Sequence, residues 1–180
     1  MKKLMSSTCC LMLFSVLAFS QKTVMVGGAP MYPTKNIIEN AVNSKDHTTL
    51  VAAVKAAGLV ETLQGAGPFT VFAPTNDAFA KLPAGTVENL LKPENKATLT
   101  AVLTYHVVAG KFSSADVAKA IKAGNGTAEF KTVQGGRLWA MKKGRDVVLK
   151  DEKGNISTIT IMDVNQSNGI IHVIDTVVMP

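Results

Sequence analysis

Cysteine is nearly absent from this sequence. The 180 residues include two, Cys9 and Cys10, and both lie within the first ten positions. Beyond them the chain cannot form a disulfide framework and has no thiol nucleophile. Small secreted folds that depend on disulfides and cysteine-dependent enzymes are therefore excluded, and a chain of this length must rely on an apolar core.

Signatures of catalysis and of cofactor binding are also missing. The sequence contains no glycine-x-serine-x-glycine elbow, no glycine-rich phosphate loop ending in lysine and no histidine pair at helical spacing. Its three histidines, His47, His106 and His172, stand far apart, without the short spacing of metal ligands. We therefore predict no catalytic residues, no metal site and no cofactor.

Long apolar runs are limited to the N-terminus. Lys2 and Lys3 precede a mostly apolar stretch that ends with small residues at positions 18 and 20. This pattern predicts a signal peptide over residues 1–20 that is cleaved near Ser20/Gln21. Because the run is shorter than the roughly 20 residues that span a bilayer, we expect a secreted or periplasmic protein with no membrane span after cleavage.

The charge is modest. Removal of residues 1–20 leaves 17 basic against 13 acidic residues, a net charge of +4. We interpret this surplus as spread along the chain, which is typical of a solvated surface. It therefore predicts no nucleic-acid partner.

Local signals divide the chain into a leader and one domain. Residues 21–33 contain two adjacent glycines and two prolines, which predicts a flexible leader before a domain over residues 34–180. Helical spacing dominates the first part of that domain, whereas β-prone runs separated by glycine turns fill it from Thr127 onward. Helices followed by strands predict an α+β fold with a largely antiparallel sheet.

Three segments carry a family resemblance. Residues 70–79 read TVFAPTNDAF, residues 105–108 read YHVV, and residues 168–180 read NGIIHVIDTVVMP. In order and spacing they resemble the first, central and closing motifs of fasciclin domains. The chain differs from many members at His47, where they have an aromatic residue, and in carrying one domain where they carry several.

The resemblance implies the fasciclin-like fold, a β-wedge of largely antiparallel strands packed with several short helices. It also implies an extracellular role in adhesion or matrix contact, without shared catalytic chemistry. The expected partner is then a protein or a cell-surface or matrix component. We predict a non-enzymatic interaction module, and the sequence leaves its oligomeric state open.

The central motif is the candidate contact patch. The resemblance places a partner-binding motif at Tyr105 and His106, which we predict to form a strand with Val107 and Val108. The alternative is a structural role, because a buried histidine usually satisfies a hydrogen bond. The other motif residues are interpreted as structural: Thr75, Asn76, Asp77, Phe79, His172 and Asp175.

The first motif also predicts local capping. Thr75 can cap the short helix that follows the strand beginning at Phe69. Asn76 and Asp77 are side chains that bond readily to nearby backbone N–H groups. We expect these residues to act through folding and not through a polar site.

Two other functions remain open. A small-ligand carrier of the cell envelope would need an apolar pocket of roughly 300 Å³ or more between wedge and helices. A hydrolase would need a nucleophile, for example Thr75 or Tyr105, within hydrogen-bond reach of His106 or His172.

Overall fold

The computed structural model describes residues 23–180, which form nine strands and seven α-helices. The strands are β1 (Val24–Val26), β2 (Ala29–Met31), β3 (Phe69–Pro74), β4 (Val107–Ala109), β5 (Thr127–Lys131), β6 (Arg137–Lys143), β7 (Asp146–Lys150), β8 (Ile156–Gln166) and β9 (Gly169–Ile174). The helices are α1 (Ile37–Ala41), α2 (Thr48–Ala57), α3 (Val60–Gln64), α4 (Asn76–Ala80), α5 (Thr86–Leu90), α6 (Lys96–Tyr105) and α7 (Ser114–Ala123), with short 3₁₀ helices at Lys45–His47 and Pro93–Asn95.

Seven of the strands form one mixed sheet. Their order is β4-β3-β9-β8-β7-β6-β5, and β1 pairs with β2 in a separate hairpin. Strands β3 and β9 run parallel, whereas every other pair of neighbours in the sheet is antiparallel. This sheet with its short helices confirms the predicted α+β class.

The parallel pair β3–β9 divides the apolar core in two. Its sequences are almost continuously apolar and buried, as expected for strands covered on both faces. Because side chains alternate along a strand, Val71 and Val173 face the cluster formed with α1, α2 and α6. Phe72 and Ile174 face a second cluster, formed with α7 and strands β5 to β8.

The start of this parallel pair requires a glycine. Gly169 pairs with Phe69, and a Cβ at Gly169 would lie 2.2 Å from the Phe69 carbonyl oxygen. Any side chain at this position would therefore push the two strands apart at the point where their pairing begins.

The flexible leader predicted over residues 21–33 is wrong for most of its length. Strands β1 and β2 form an antiparallel hairpin, and Val26, Ala29 and Met31 are buried against the helical cluster. Gly27 and Gly28 both have positive φ angles, which suits the tight two-residue turn between them. The folded unit therefore includes residues from Val24, ahead of the predicted boundary at position 34.

The predicted signal peptide lies outside the described residues. This applies to its whole extent, residues 1–20, and to the cleavage position near Ser20/Gln21. Among residues 23–180, no helix combines the length and the apolar character needed to cross a bilayer.

Replacement of Phe72 tests the packing around β3. Phe72 is 1% exposed, and its ring stacks on that of His172 at a centroid distance of 5.8 Å. Phe72→Ala should lower the free energy of unfolding by about 3–5 kcal/mol, because it removes core contacts and leaves a cavity. Urea denaturation measures this loss.

The half-exposed Val42 provides the matched control for that substitution. Val42→Ala should change the free energy of unfolding by about 0.5 kcal/mol or less. If Phe72→Ala had a denaturation midpoint as close to the wild type as Val42→Ala, the assigned core position of Phe72 would be wrong.

Candidate functional site

The central motif spans the end of a helix and the start of a strand. Tyr105 is the last residue of α6, His106 is its C-cap, and Val107 and Val108 begin β4. The predicted strand is therefore wrong for Tyr105 and His106. All four side chains are buried, with 0–5% of their surface exposed. The hypothesis that they form a contact patch is wrong as well, because a partner cannot reach them in this structure.

The Tyr105 side chain ties α6 to the β-rich half of the domain. Its hydroxyl donates to the Arg137 carbonyl oxygen at 2.5 Å and accepts the backbone N–H of Glu152 at 3.2 Å. Burial raises the pKa of Tyr105 to about 12. The hydroxyl therefore stays protonated and serves as a structural donor.

His106 links the same helix to the C-terminal segment. Its Nδ1 lies 2.8 Å from the Val102 carbonyl oxygen, and its Nε2 accepts the backbone N–H of Val178 at 3.3 Å. These two contacts fit a neutral ring that carries its proton on Nδ1. Burial lowers the pKa of His106 to about 4, against the opposing effects of the Val102 carbonyl and the Asp151 charge.

His172 plays a similar part on β9. Its Nε2 lies 2.8 Å from the Phe112 carbonyl oxygen, and its Nδ1 accepts the backbone N–H of Asp163 at 3.4 Å. Burial lowers the pKa of His172, although the Phe112 carbonyl and the Asp163 charge oppose this shift. The ring therefore joins β9 to β8 and to the segment before α7.

His47 is the third buried histidine. Its Nδ1 lies 2.8 Å from Ser44 Oγ, and burial lowers its pKa. The three histidines occupy separate elements, and across residues 23–180 no three side chains of histidine, cysteine, aspartate or glutamate are grouped so as to hold a metal ion.

The first motif caps two helices. Thr75 Oγ1 accepts the backbone N–H of Ala78, which confirms the predicted cap of α4. Asn76 acts at a distance instead: its Oδ1 accepts the backbone N–H of Thr49 at 3.0 Å, and its Nδ2 donates to the Lys45 carbonyl oxygen at 2.9 Å. Asn76 therefore caps α2, whose own N-cap residue provides no side-chain bond.

The other two residues of this segment differ in burial. Phe79 is buried in the helical cluster. Asp77 is exposed in the first turn of α4, and its side chain forms no hydrogen bond within the part of the chain that the structure describes. The prediction that Asp77 bonds nearby backbone groups is therefore wrong, because Thr75 already occupies the cap.

Asp175 closes the end of β9 against β8. Its Oδ1 accepts the backbone N–H of Thr158 at 2.7 Å, and its Oδ2 lies 3.5 Å from Lys81 Nζ. Partial burial raises the pKa of Asp175, but the bonds from Thr158 and Thr176 and the Lys81 charge outweigh it, so the net pKa lies below its usual value.

Sequence reasoning missed the long-range role of Asn168. The residue lies in the tight turn between β8 and β9. Its Oδ1 also accepts the backbone N–H of Ile37 at 3.1 Å, and its Nδ2 donates to the Leu63 carbonyl oxygen at 2.7 Å. The side chain thus joins the sheet to α1 and α3, a contact for which no local pattern gives a signal.

The geometry gives little support to the two other functions considered. Two apolar cavities beneath α1 and α2 measure about 30 Å³ each, far below the size of a ligand pocket. The larger space between α7 and β6, about 510 Å³, is an open groove lined by three lysines, and it is not the apolar pocket that a small-ligand carrier would need. The ring nitrogens of His106 and His172 contact backbone groups, as do the hydroxyls of Thr75 and Tyr105. No nucleophile and base are therefore paired among these four residues.

Charge is distributed unevenly along the described chain. Residues 111–153 carry ten basic and five acidic residues, a net charge of +5. The rest of the segment from residue 23 onward carries six basic and eight acidic residues, a net charge of −2. The surplus that was interpreted as spread along the chain is therefore concentrated in α7, β5, β6 and β7 and the loops between them.

Comparison with known proteins gives consistent results. A sequence model of the Fasciclin domain matches residues 45–180. The protein sll1483 of Synechocystis sp. is 48% identical over 161 residues, which cover 89% of this chain and 82% of that protein. The cell surface glycolipoprotein MPB83 of Mycobacterium bovis is 37% identical over 145 residues, covering 78% of this chain and 58% of its own length.

A solved structure matches the fold. A FAS1 domain pair from the insect cell adhesion molecule fasciclin I superposes with a TM-score of 0.70. The match covers 81% of this chain and 51% of that chain at 17% sequence identity, so the likeness concerns the fold alone.

Replacement of Asn76 tests the remote cap of α2. Asn76→Ala removes the acceptor for Thr49 and the donor to Lys45, and should lower the free energy of unfolding by about 1–2 kcal/mol. Asp77→Ala on the same helix should change it by about 0.5 kcal/mol or less. Thermal and urea denaturation measure the stability of both variants. Equal stabilities would show that Asn76 does not cap α2.

The buried histidines predict acid sensitivity. The pKa of His106 is lowered in the folded state, so the unfolded chain binds the proton first. Stability should be complete above about pH 6.5 and fall by about 3 kcal/mol as the pH drops toward 4. His47 and His172 shift in the same direction.

The test compares the free energy of unfolding of the wild type and of His106→Asn from pH 7 to pH 4. Asparagine retains a donor near the Val102 carbonyl but does not titrate. The variant should show a shallower pH dependence, by up to about one proton. Equal slopes would show that His106 does not titrate with unfolding.

Proposed function

The chain belongs to the fasciclin domain family, and we propose that it is an exported, non-enzymatic interaction module that mediates adhesion or protein–surface contacts. The observation that carries this proposal is the Fasciclin domain match over residues 45–180. The cell-surface location named for the mycobacterial relative and the signal peptide predicted over residues 1–20 support export.

The bonding of the motif side chains supports a role without catalysis. Tyr105, His106 and His172 use their polar atoms on backbone groups, and Asp175 bonds Thr158 and Lys81. A general base must be free to take a proton from a substrate, and a nucleophile must be adjacent to such a base. These side chains hold strands and helices together instead.

The proposed mechanism is recognition by the surface of a rigid scaffold. Because the central motif is buried, the contact surface lies outside residues 105–108. The most distinctive exposed surface is the basic one contributed by residues 111–153. A partner bound there would meet side chains on a backbone that the sheet and α7 hold in place, so binding requires no ordering of the backbone.

The proposal is tested with the exported protein attached to beads and mixed with cell-envelope and matrix fractions. We expect saturable retention of a component that the free folded protein displaces. Beads to which the protein is coupled through many lysines in concentrated urea, so that it cannot refold after washing, provide the control for adhesion by exposed apolar surface. The proposal would be contradicted if the beads retained no component. It would also be contradicted if the retained component neither saturated the beads nor was displaced by free protein.

A further inference from the structure

We propose that the groove between α7 and β6 binds an anionic polysaccharide. This inference rests on the proposed interaction function and gives the chemistry of its partner. The groove measures about 510 Å³ and is lined by Ala118, Lys119, Ile121, Lys122, Gly126 and Lys142.

The fold brings the three lysines together from two elements. Helix α7 packs on β5 and β6, where Leu138 and Ala140 are buried. Lys142 lies two residues beyond Ala140 and so shares its face of the strand. Lys119 and Lys122 are three residues apart on α7, which places them as neighbours on the helix surface.

These lysines form no close ion pair with the described residues, although the charge of Asp116 acts on Lys119. All three are exposed, and none forms an ion pair within residues 23–180. The closest acidic residue along α7, Asp116, is engaged by the backbone N–H and hydroxyl of Ser113 in a capping box. The groove therefore lies at the centre of the most basic part of the chain, where the field attracts anions.

The lining of the groove selects among anionic partners. Ala118, Ile121 and the lysine methylene groups provide an apolar floor, with charge at the rim. Membrane binding would require large apolar side chains that protrude beside the lysines. Within the described chain the exposed large apolar residues lie elsewhere: Met25, Tyr32, Val42, Val133 and Ile156.

Nucleic acid fits less well than sugar. Single strands bind through aromatic side chains that stack on bases, and no aromatic residue lines this groove among those described. A polysaccharide that carries carboxylate or sulfate groups presents anions to the lysines. Between these anions, the C–H faces of its rings can lie on Ala118 and on the lysine methylene groups.

The experiment measures the affinity of the full exported protein for dextran sulfate and for polygalacturonate, with neutral dextran as the uncharged control. We expect salt-sensitive binding to one or both anionic polymers and none to neutral dextran. Lys119→Glu/Lys122→Glu/Lys142→Glu should weaken binding about tenfold or more.

A second variant controls for net charge. Lys55→Glu/Lys92→Glu/Lys96→Glu changes the charge equally on exposed lysines outside residues 111–153, and its affinity should stay within about threefold of the wild type. Lys119→Arg/Lys122→Arg/Lys142→Arg should retain binding. Equal losses in the two glutamate variants, or wild-type affinity in the groove variant, would overturn the proposal.

Two further probes test whether the groove binds anions of a lipid surface or of a nucleic acid instead of a polysaccharide. Phosphatidylglycerol vesicles and a single-stranded oligothymidylate are tested at the same salt concentration. Binding of either one with no binding of the two anionic polysaccharides would overturn the assignment. Wild-type protein and the groove variant are also attached to beads and mixed with cell-envelope fractions. If both retain the same envelope component equally, the interaction function stands and the groove assignment fails.

Discussion

The parallel pairing of β3 with β9, from Phe69–Gly169 to Pro74–Ile174, joins residues that are about 100 positions apart in the chain. Both strands are buried on both faces, so each face requires its own cover. Helices α1, α2 and α6 cover one face, and α7 with strands β5 to β8 covers the other. The two cores exist because this central pair lies between them.

Buried and partly buried polar side chains fix the other elements to that central pair. His106 bonds Val178 across 72 positions, and Asn168 bonds Ile37 across 131 positions. Loss of one partner would leave a buried polar atom unsatisfied, at a cost of about 1–3 kcal/mol. The three family motifs therefore coincide with junctions: the end of β3, the transition from α6 to β4, and the turn into β9.

The sequence predicts what depends on local chemistry. Alternation and turn residues indicate the strands after Thr127, and the threonine before a short helix indicates the cap at Thr75. Prediction from the sequence fails where a side chain bonds a residue far away in the chain. Asn76 caps a helix that precedes it by 27 residues, and no period or turn signal records such a bond. The hairpin of β1 and β2 was missed because its strands are three residues long, too short for alternation to be distinguished from a loop.

The burial of the motifs bears on how members of this family can differ in function. A side chain that bonds the backbone inside the core maintains the scaffold, and it cannot select a partner without partial unfolding. Selection must then come from exposed residues, which can change with little effect on stability. In this chain those residues include the lysines of α7 and β6, which lie on a face that the core holds rigid. The motifs therefore indicate the fold, whereas the proposed contact with a partner uses lysines that lie outside all three motifs.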